Sequence, residues 1–382
     1  MLALNDNTVV SVFGFDPYRI GAGEMYAKEV SQQLAARGWL SVLCFLKEPP
    51  EPVRRFLEAP NVIIDVIADS WRLSYPATVQ LFHVLRKYRP RILHLYFTGF
   101  LSAYPWIARL LQVERIYFTD QSSQAEGFVP TRAPLWKRLA MRLINGPMTG
   151  VISVSGYGYR NFTTRDLLPK ERFHIIYNSV DVERASLGLD RAEEFRQHYG
   201  IASARLVVTQ VSWLIPEKGV DDLVTAARDV VAAEPAAHFV IAGDGAHLPN
   251  LRQKVLDLGI ESHVTFTGVV RDPLADGLFA ASDVVCQMSR WEEVFGYVIA
   301  EAMASGKPLV GTRAGGIPEI IEDGVTGFLV GRRDTAAMAA RILDLLHDPI
   351  LRRRMGQAGR EVVREKFNLK KNVAQLIRLY GI

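Results

Sequence analysis

Short β-branched runs alternate with helix-period stretches along this chain, and the alternation happens twice. "TVVSVFGF" (8–15) reads as a strand, and a glycine loop and the helical "EMYAKEVSQQLAARG" follow it. "WLSVLCFL" (39–46), "VIIDVI" (62–67), "RILHLYF" (91–97), "RIYFTD" (115–120) and "TGVISVS" (149–155) continue the strands, with helical patterns such as "PATVQLFHVLRKYRP" between them. The pattern breaks over 178–200, a polar stretch with no strand signal. It restarts at "ARLVVTQVS" and runs through "HFVIAGDG", "HVTFTGV", "DVVCQM", "PLVGT" and "GFLV". Strands that read as continuous apolar runs and alternate with helices argue for parallel sheets covered on both faces. The expected fold class is therefore α/β, with two doubly wound units joined near 178–204. A chain of 382 residues suits two domains better than one.

In open α/β sheets ligands sit at the carboxyl ends of the strands, so a cleft between two such units is the default site. A net charge of +4 is compatible with anionic ligands and gives no pointer to nucleic acid. The two cysteines, Cys44 and Cys286, each stand in an apolar run, as buried thiols of a reducing compartment do. The first apolar run is strand-sized, and no apolar run approaches the length needed to cross a bilayer. The expected location is cytoplasmic. The eight histidines show no metal spacing.

Several stretches carry chemistry. In "SRWEEVFGYVIAEAMASGKPLVG" (289–311) two carboxylates, Glu293 and Glu301, flank Phe295-Gly296. Gly296 stands near a helix start, whose free N–H groups suit a phosphate. Side chains tilt toward a helix N-terminus, so Glu301 can lean back to accept hydrogen bonds from a ribose diol. Acids decorating a helix dipole explain the same residues structurally. Gly21 and Gly23 lie between the first strand and first helix, as a phosphate loop or a plain turn. Lys218, in "PEKG", is a mobile cation before a helix. Gly315-Gly316 offer further N–H groups at a short helix start. In "TRAPLWKRLAMRLINGP" (131–147), Arg132, Lys137, Arg138 and Arg142 interleave with Leu135, Trp136, Leu139, Met141 and Leu143. This stretch could lie on an anionic membrane or pack as an ordinary amphipathic helix.

"EVFGYVIAE", "PEKG", "IAGDG", "FTGVV", "AMASGKPLV" and "GGIPEIIEDGVTGFLV" occur in an order and spacing that resemble the retaining glycosyltransferases of family 4, of GT-B architecture. The likeness is dense over 205–335. Over 1–180 it rests on "GAGEMYAKEVSQQLAARG" and on "IIYNSVDVERA", where Ser179 replaces a glycine. The resemblance implies two Rossmann-like domains facing each other across a cleft. An acceptor domain would span 1–180 and a nucleotide-sugar domain 181–365. A last helix over 366–382, with Phe367, Leu369, Val373, Leu376, Ile377 and Tyr380 as its apolar set, would return to the first domain.

By position, the resemblance puts Glu293 at the donor sugar, Glu301 at the ribose and Lys218 at the diphosphate. Phe295, Gly296, Gly21 and Gly23 would flank the phosphates, and the loop from Gly268 to Arg271 would lie near the base. The implied activity is transfer of a hexose from a nucleotide-diphosphate sugar, with retention and without metal or cofactor. The acceptor would be a glycan or a lipid-linked hydroxyl. Two residues depart from the family pattern. Trp213 stands where an arginine is common, leaving Lys218, or Arg290, Arg313 or Arg271, to neutralise phosphate. Gln121 stands where a histidine is common and cannot take a proton. A catalytically silent sugar-nucleotide- or glycan-binding relative and a sugar-nucleotide epimerase are the alternative readings.

Overall fold

A computed structural model describes residues 7–70 and 74–382. The opening residues 1–6 lie outside the described residues. The chain divides into two compact units. The first holds the chain through Ser122, Val129–Asn178 and Leu369–Ile382; the second holds Ser123–Phe128 and Ser179–Asn368.

The first unit is built on a seven-stranded parallel sheet. Its strands are β1 (Thr8–Phe13), β2 (Leu40–Phe45), β3 (Val62–Val66), β4 (Ile92–Tyr96), β5 (Arg115–Asp120), β6 (Gly150–Ser153) and β7 (Phe173–Ile175). They lie in the order β3-β2-β1-β4-β5-β6-β7. β1, β2 and β4 are buried along their whole length, which is why they read as unbroken apolar runs. β7 was not expected. It is a three-residue edge strand whose Ile175 is 39% exposed, so it lacks the apolar continuity of a central strand.

The C-terminal helix Leu369–Leu379 belongs to this unit. Leu369, Val373, Leu376, Ile377 and Tyr380 pack with Val9, Val30, Leu34 and Ile92. The tyrosine hydroxyl meets His94 Nδ1 at 2.5 Å, and His94 Nε2 meets Thr119 Oγ1 at 2.7 Å. Burial holds the His94 imidazole well below its ordinary range, so it is neutral in this network. Phe367 does not join this apolar set. It precedes the helix and packs in the second unit, 5.5 Å from the Phe295 ring, because the chain passes between units at Asn368.

The second unit carries a six-stranded parallel sheet. Its strands are β8 (Leu206–Val211), β9 (Ala237–Ala242), β10 (Val264–Gly268), β11 (Val284–Gln287), β12 (Leu309–Thr312) and β13 (Gly327–Val330), in the order β10-β9-β8-β11-β12-β13. Val208, Phe239, Ile241, Cys286, Met288, Met338 and Ile342 are among its core residues. In both sheets the order reverses beside the first strand of the unit, which opens a crevice at the strand ends there. The polar stretch after 178 has no strand, as expected, and holds the helix Ala192–His198. Cys44 and Cys286 are buried free thiols. Among the described residues, no helix is long and apolar enough to cross a membrane.

Candidate functional site

In the second unit, the segment after β8 forms a short 3-10 turn, Pro216–Lys218, and enters the helix Val220–Ala233 through Gly219. Gly219 has φ +65°, and a Cβ there would stand 1.8 Å from the Met288 carbonyl oxygen. Only glycine allows this turn to lie against the end of β11. That approach presents Lys218 to the segment after β11. Its Nζ lies 2.5 Å from Glu293 Oε1 and 5.6 Å from the centre of the Trp291 ring. Ser289 Oγ donates to Glu293 Oε1 at 2.7 Å, and Ser123 Oγ lies 3.4 Å from Oε2. Glu293 is 6% exposed. The carboxylate is thus oriented by a cation and two hydroxyls, as a buried charge requires.

The neighbouring Glu292 is a residue that sequence reasoning missed. It too is buried. Its backbone pairs antiparallel with Gln124, N–H to O at 3.0 Å in both directions. Its carboxylate accepts from Gly127 N at 3.1 Å and Gly315 N at 2.7 Å, and forms an ion pair with Arg332. Gly316 N donates to the Glu293 carbonyl at 2.6 Å. The expectation that Gly315 and Gly316 offer free N–H groups is therefore corrected: both are consumed by the acidic segment. The glycines serve close backbone approach, since a Cβ on Gly315 would stand 2.2 Å from the Glu293 carbonyl oxygen. An acidic doublet was the only sequence signal for Glu292, and it reads as surface.

Gly296 caps the helix Tyr297–Ala304, and Glu301 lies half-buried on it. Phe295 is packed as a core residue, its ring 5.4 Å from Tyr297 and 5.5 Å from Phe367. Trp213 is 72% exposed after β8. Of the cations that could replace the missing arginine, Arg290 is held by Asp222 through two hydrogen bonds of 2.8 and 2.6 Å, and Arg313 pairs with Asp323 at 2.5 Å. Gly268 has φ +69° at the end of β10. Arg271 is exposed and borders a cavity of about 440 Å³ with Arg191, Phe195 and Tyr199. Among the described residues, no group of three or more His, Cys, Asp or Glu side chains is placed to hold a metal ion.

In the first unit, Gly21 precedes the helix Ala22–Ala35, and its N–H donates to Glu24 Oε2 at 2.9 Å. Glu24 is buried, which pushes its carboxyl up. A Cβ on Gly23 would stand 2.6 Å from the Phe15 ring. Packing against Phe15 accounts for Gly23, while the Gly21 N–H is taken up by Glu24. Gln121, just past β5, forms a reciprocal amide pair with Asn178: Asn178 Nδ2 to Gln121 Oε1 is 2.7 Å, and the return bond is 3.2 Å. One residue earlier, Asp120 is buried and its Oδ2 has no hydrogen-bond partner among the described residues. Burial raises this carboxyl to about 6.

Two family descriptions match the chain in register with the two halves of its fold: Glycosyltransferase Family 4 over residues 23–184 and glycosyl transferases group 1 over 191–362. The chain belongs to the group 1 glycosyltransferases of family 4. This glycosyltransferase-family chain is 36% identical to the N-acetyl-alpha-D-glucosaminyl L-malate synthase of Bacillus anthracis, over 60% of this chain and 59% of that one. It is 32% identical to a GDP-mannose-dependent alpha-(1-6)-phosphatidylinositol monomannoside mannosyltransferase of Mycolicibacterium smegmatis, over 63% and 64%. The match thus spans a little under two thirds of the length of these relatives. In fold, the family member is similar to a glycosyltransferase from Rickettsia africae, with TM-score 0.82, 18% identity and 98% of both chains covered. It is also similar to Anabaena HepE in complex with UDP, with TM-score 0.78, 20% identity, and 98% and 99% covered. The two-domain, Rossmann-like architecture expected from the strand alternation is the architecture of these proteins.

Proposed function

We propose that this chain is a retaining, metal-independent hexosyltransferase. It moves a hexose from a nucleoside diphosphate sugar to a hydroxyl of a glycan or lipid-linked acceptor, on the cytoplasmic side, in glycan, polysaccharide or glycolipid synthesis. The observation that carries the reading is the buried Lys218–Glu293 pair at 2.5 Å, set between the turn after β8 and the start of the helix Tyr297–Ala304. The relatives' names supply the chemical class, sugar nucleotides. The two unpaired thiols suit a reducing compartment.

In this reading Glu293 stays in place, because Ser289 and Ser123 hold it whether or not Lys218 does. Lys218 turns its ammonium toward the arriving diphosphate. The bond between the anomeric carbon and the leaving phosphate oxygen breaks, and negative charge grows on that oxygen. Lys218 and the N-terminus of the helix Tyr297–Ala304 stabilise the charge. The acceptor oxygen bonds to the anomeric carbon on the face that the phosphate leaves, so configuration is retained. Its proton passes to the departing diphosphate. Glu301 accepts hydrogen bonds from the ribose diol, the loop from Gly268 to Arg271 borders the base, and Glu293 positions the hexose. For the first unit, taken by itself, Gly21 and Gly23 are proposed as ligand-binding backbone and Gln121 as a contact for a sugar hydroxyl.

Thermal-shift screening of the purified chain against uridine, guanosine and adenosine diphosphohexoses tests the donor class, since a true ligand raises apparent stability by mass action. Product analysis by NMR then reports the anomeric configuration, and activity surviving a chelator supports metal independence. No shift with any of the three classes overturns the reading. Exposed Trp213 at the arginine position favours a second reading, a silent binding relative. A shift without hydrolysis or transfer would establish that one, and a new sugar nucleotide formed without acceptor would establish an epimerase.

A further inference from the structure

The helix Leu135–Ile144 turns its apolar stripe the wrong way. A surface helix ordinarily buries its apolar stripe against the core and shows its charges to water. Here no residue of the helix is buried. Leu135, Trp136, Leu139 and Leu143, which share one face, are 62%, 71%, 58% and 69% exposed. The side facing the protein is the side of Met141, which packs on the core, and of Arg138, whose side chain is only 17% exposed. Trp106 Nε1 donates to the Leu143 carbonyl at 2.9 Å. That bond joins the helix to Tyr104–Leu110, whose Trp106 and Leu110 are themselves 49% and 75% exposed.

The charge around this face has one sign. Between Glu126 and Asp166 the chain has no acidic residue. Arg132, Arg138 and Arg142 all reach the single Asp166 carboxylate, at 3.0, 2.6 and 2.7 Å. One negative charge cannot neutralise three guanidinium groups, so the cluster keeps a positive balance, to which Lys137 adds. An apolar face with two tryptophans, bordered by cations, matches the headgroup boundary of a bilayer that contains anionic lipid. A second copy of this chain fits less well, because a two-fold contact sets the same cations against each other.

We infer that this face of the first unit docks on anionic membrane surfaces. Trp136, Leu139 and Leu143 enter the headgroup boundary, and Arg132, Lys137 and Arg142 meet lipid phosphates. The docking stands on the surface alone. Its consequence, that the acceptor hydroxyl is presented at that membrane, rests on the glycosyl-transfer reading.

The test is co-sedimentation of the full chain with phosphatidylcholine vesicles, with and without phosphatidylglycerol. Partitioning should be at least about tenfold tighter with the anionic lipid, as several cations near a charged surface require, and should weaken as salt rises. Leu139→Glu and Trp136→Glu, at exposed positions, should each lose partitioning while keeping the parent's thermal unfolding and nucleotide-induced shift. Equal partitioning to both vesicle types, or none, overturns docking. So does a parent dimer in sedimentation equilibrium that Leu139→Glu dissociates, since the face then serves self-association. Vesicle binding without any nucleotide shift leaves docking standing and removes the glycosyltransferase reading instead.

Discussion

Replacing Glu292 with alanine should cost the second unit more than any exposed carboxylate would. The side chain is 9% exposed, and its two oxygens satisfy Gly127 N, Gly315 N and the Arg332 guanidinium. Removing it leaves Arg332, whose side chain is 22% exposed, without its counter-charge, and two backbone N–H groups without their acceptor. Breaking a buried ion pair from one side costs about 3–5 kcal/mol. In a unit of this size each kcal/mol moves the midpoint by about 2–4 °C, so thermal unfolding should shift down by roughly 10 °C.

The double variant Glu292→Ala/Arg332→Met separates causes. With the orphaned charge gone, it should recover a good part of the loss, a coupling that a double-mutant cycle measures directly. Function should fall as well, at temperatures where the variant is folded, because Gly315 and Gly316 then release the backbone that carries Glu293. Calorimetry and single-turnover kinetics read the two effects. A loss of less than about 1 kcal/mol, the range of an exposed ion pair, or equal destabilisation of the single and double variants, would refute the clamp.

Lys218→Ala should lower turnover by about 100- to 1000-fold, the scale of losing one transition-state charge partner, with a drop below about threefold showing that another cation serves the leaving group. Glu301→Ala should weaken binding of the free nucleotide by roughly tenfold or more in calorimetric titration, as the loss of a charged hydrogen-bond acceptor does, and unchanged affinity would remove it from the ribose. Asp120→Asn should stabilise the first unit at neutral pH by up to about 3 kcal/mol, because a carboxyl raised from 3.8 to about 6 holds its full contribution below 3.8 and loses it as pH rises through 6. Denaturant unfolding from pH 4 to 7.5 should show this advantage growing with pH, and a pH-independent difference would contradict it.

The sheets were legible because parallel strands buried on both faces leave long apolar runs, and β7 was not because an edge strand of three residues leaves none. Motif spacing singled out Lys218 and Glu293, but their ion pair was not foreseen, because it depends on how the turn after β8 packs against the segment after β11. Glu292, Ser289 and Ser123 were not singled out, since what they bind is chosen by tertiary packing: Gly127 and Glu292 are 165 residues apart. Gly315 and Gly316 were read as donors of free N–H groups at a helix start, but the 292–294 segment takes up those groups and needs the glycines for its close approach.

The helix Leu135–Ile144 shows the same limit most plainly. Its periodicity reveals that one side is apolar and the other basic, and this asymmetry is the same whichever way the helix is turned about its axis. Only the packing of Met141 on the core, the pull of Asp166 on three arginines and the bond from Trp106 to Leu143 decide the rotation. They turn the leucines outward. A hydrophobic stripe in sequence is therefore evidence that some surface will be covered, and the fold decides whether the covering surface is the protein's own core or something outside it.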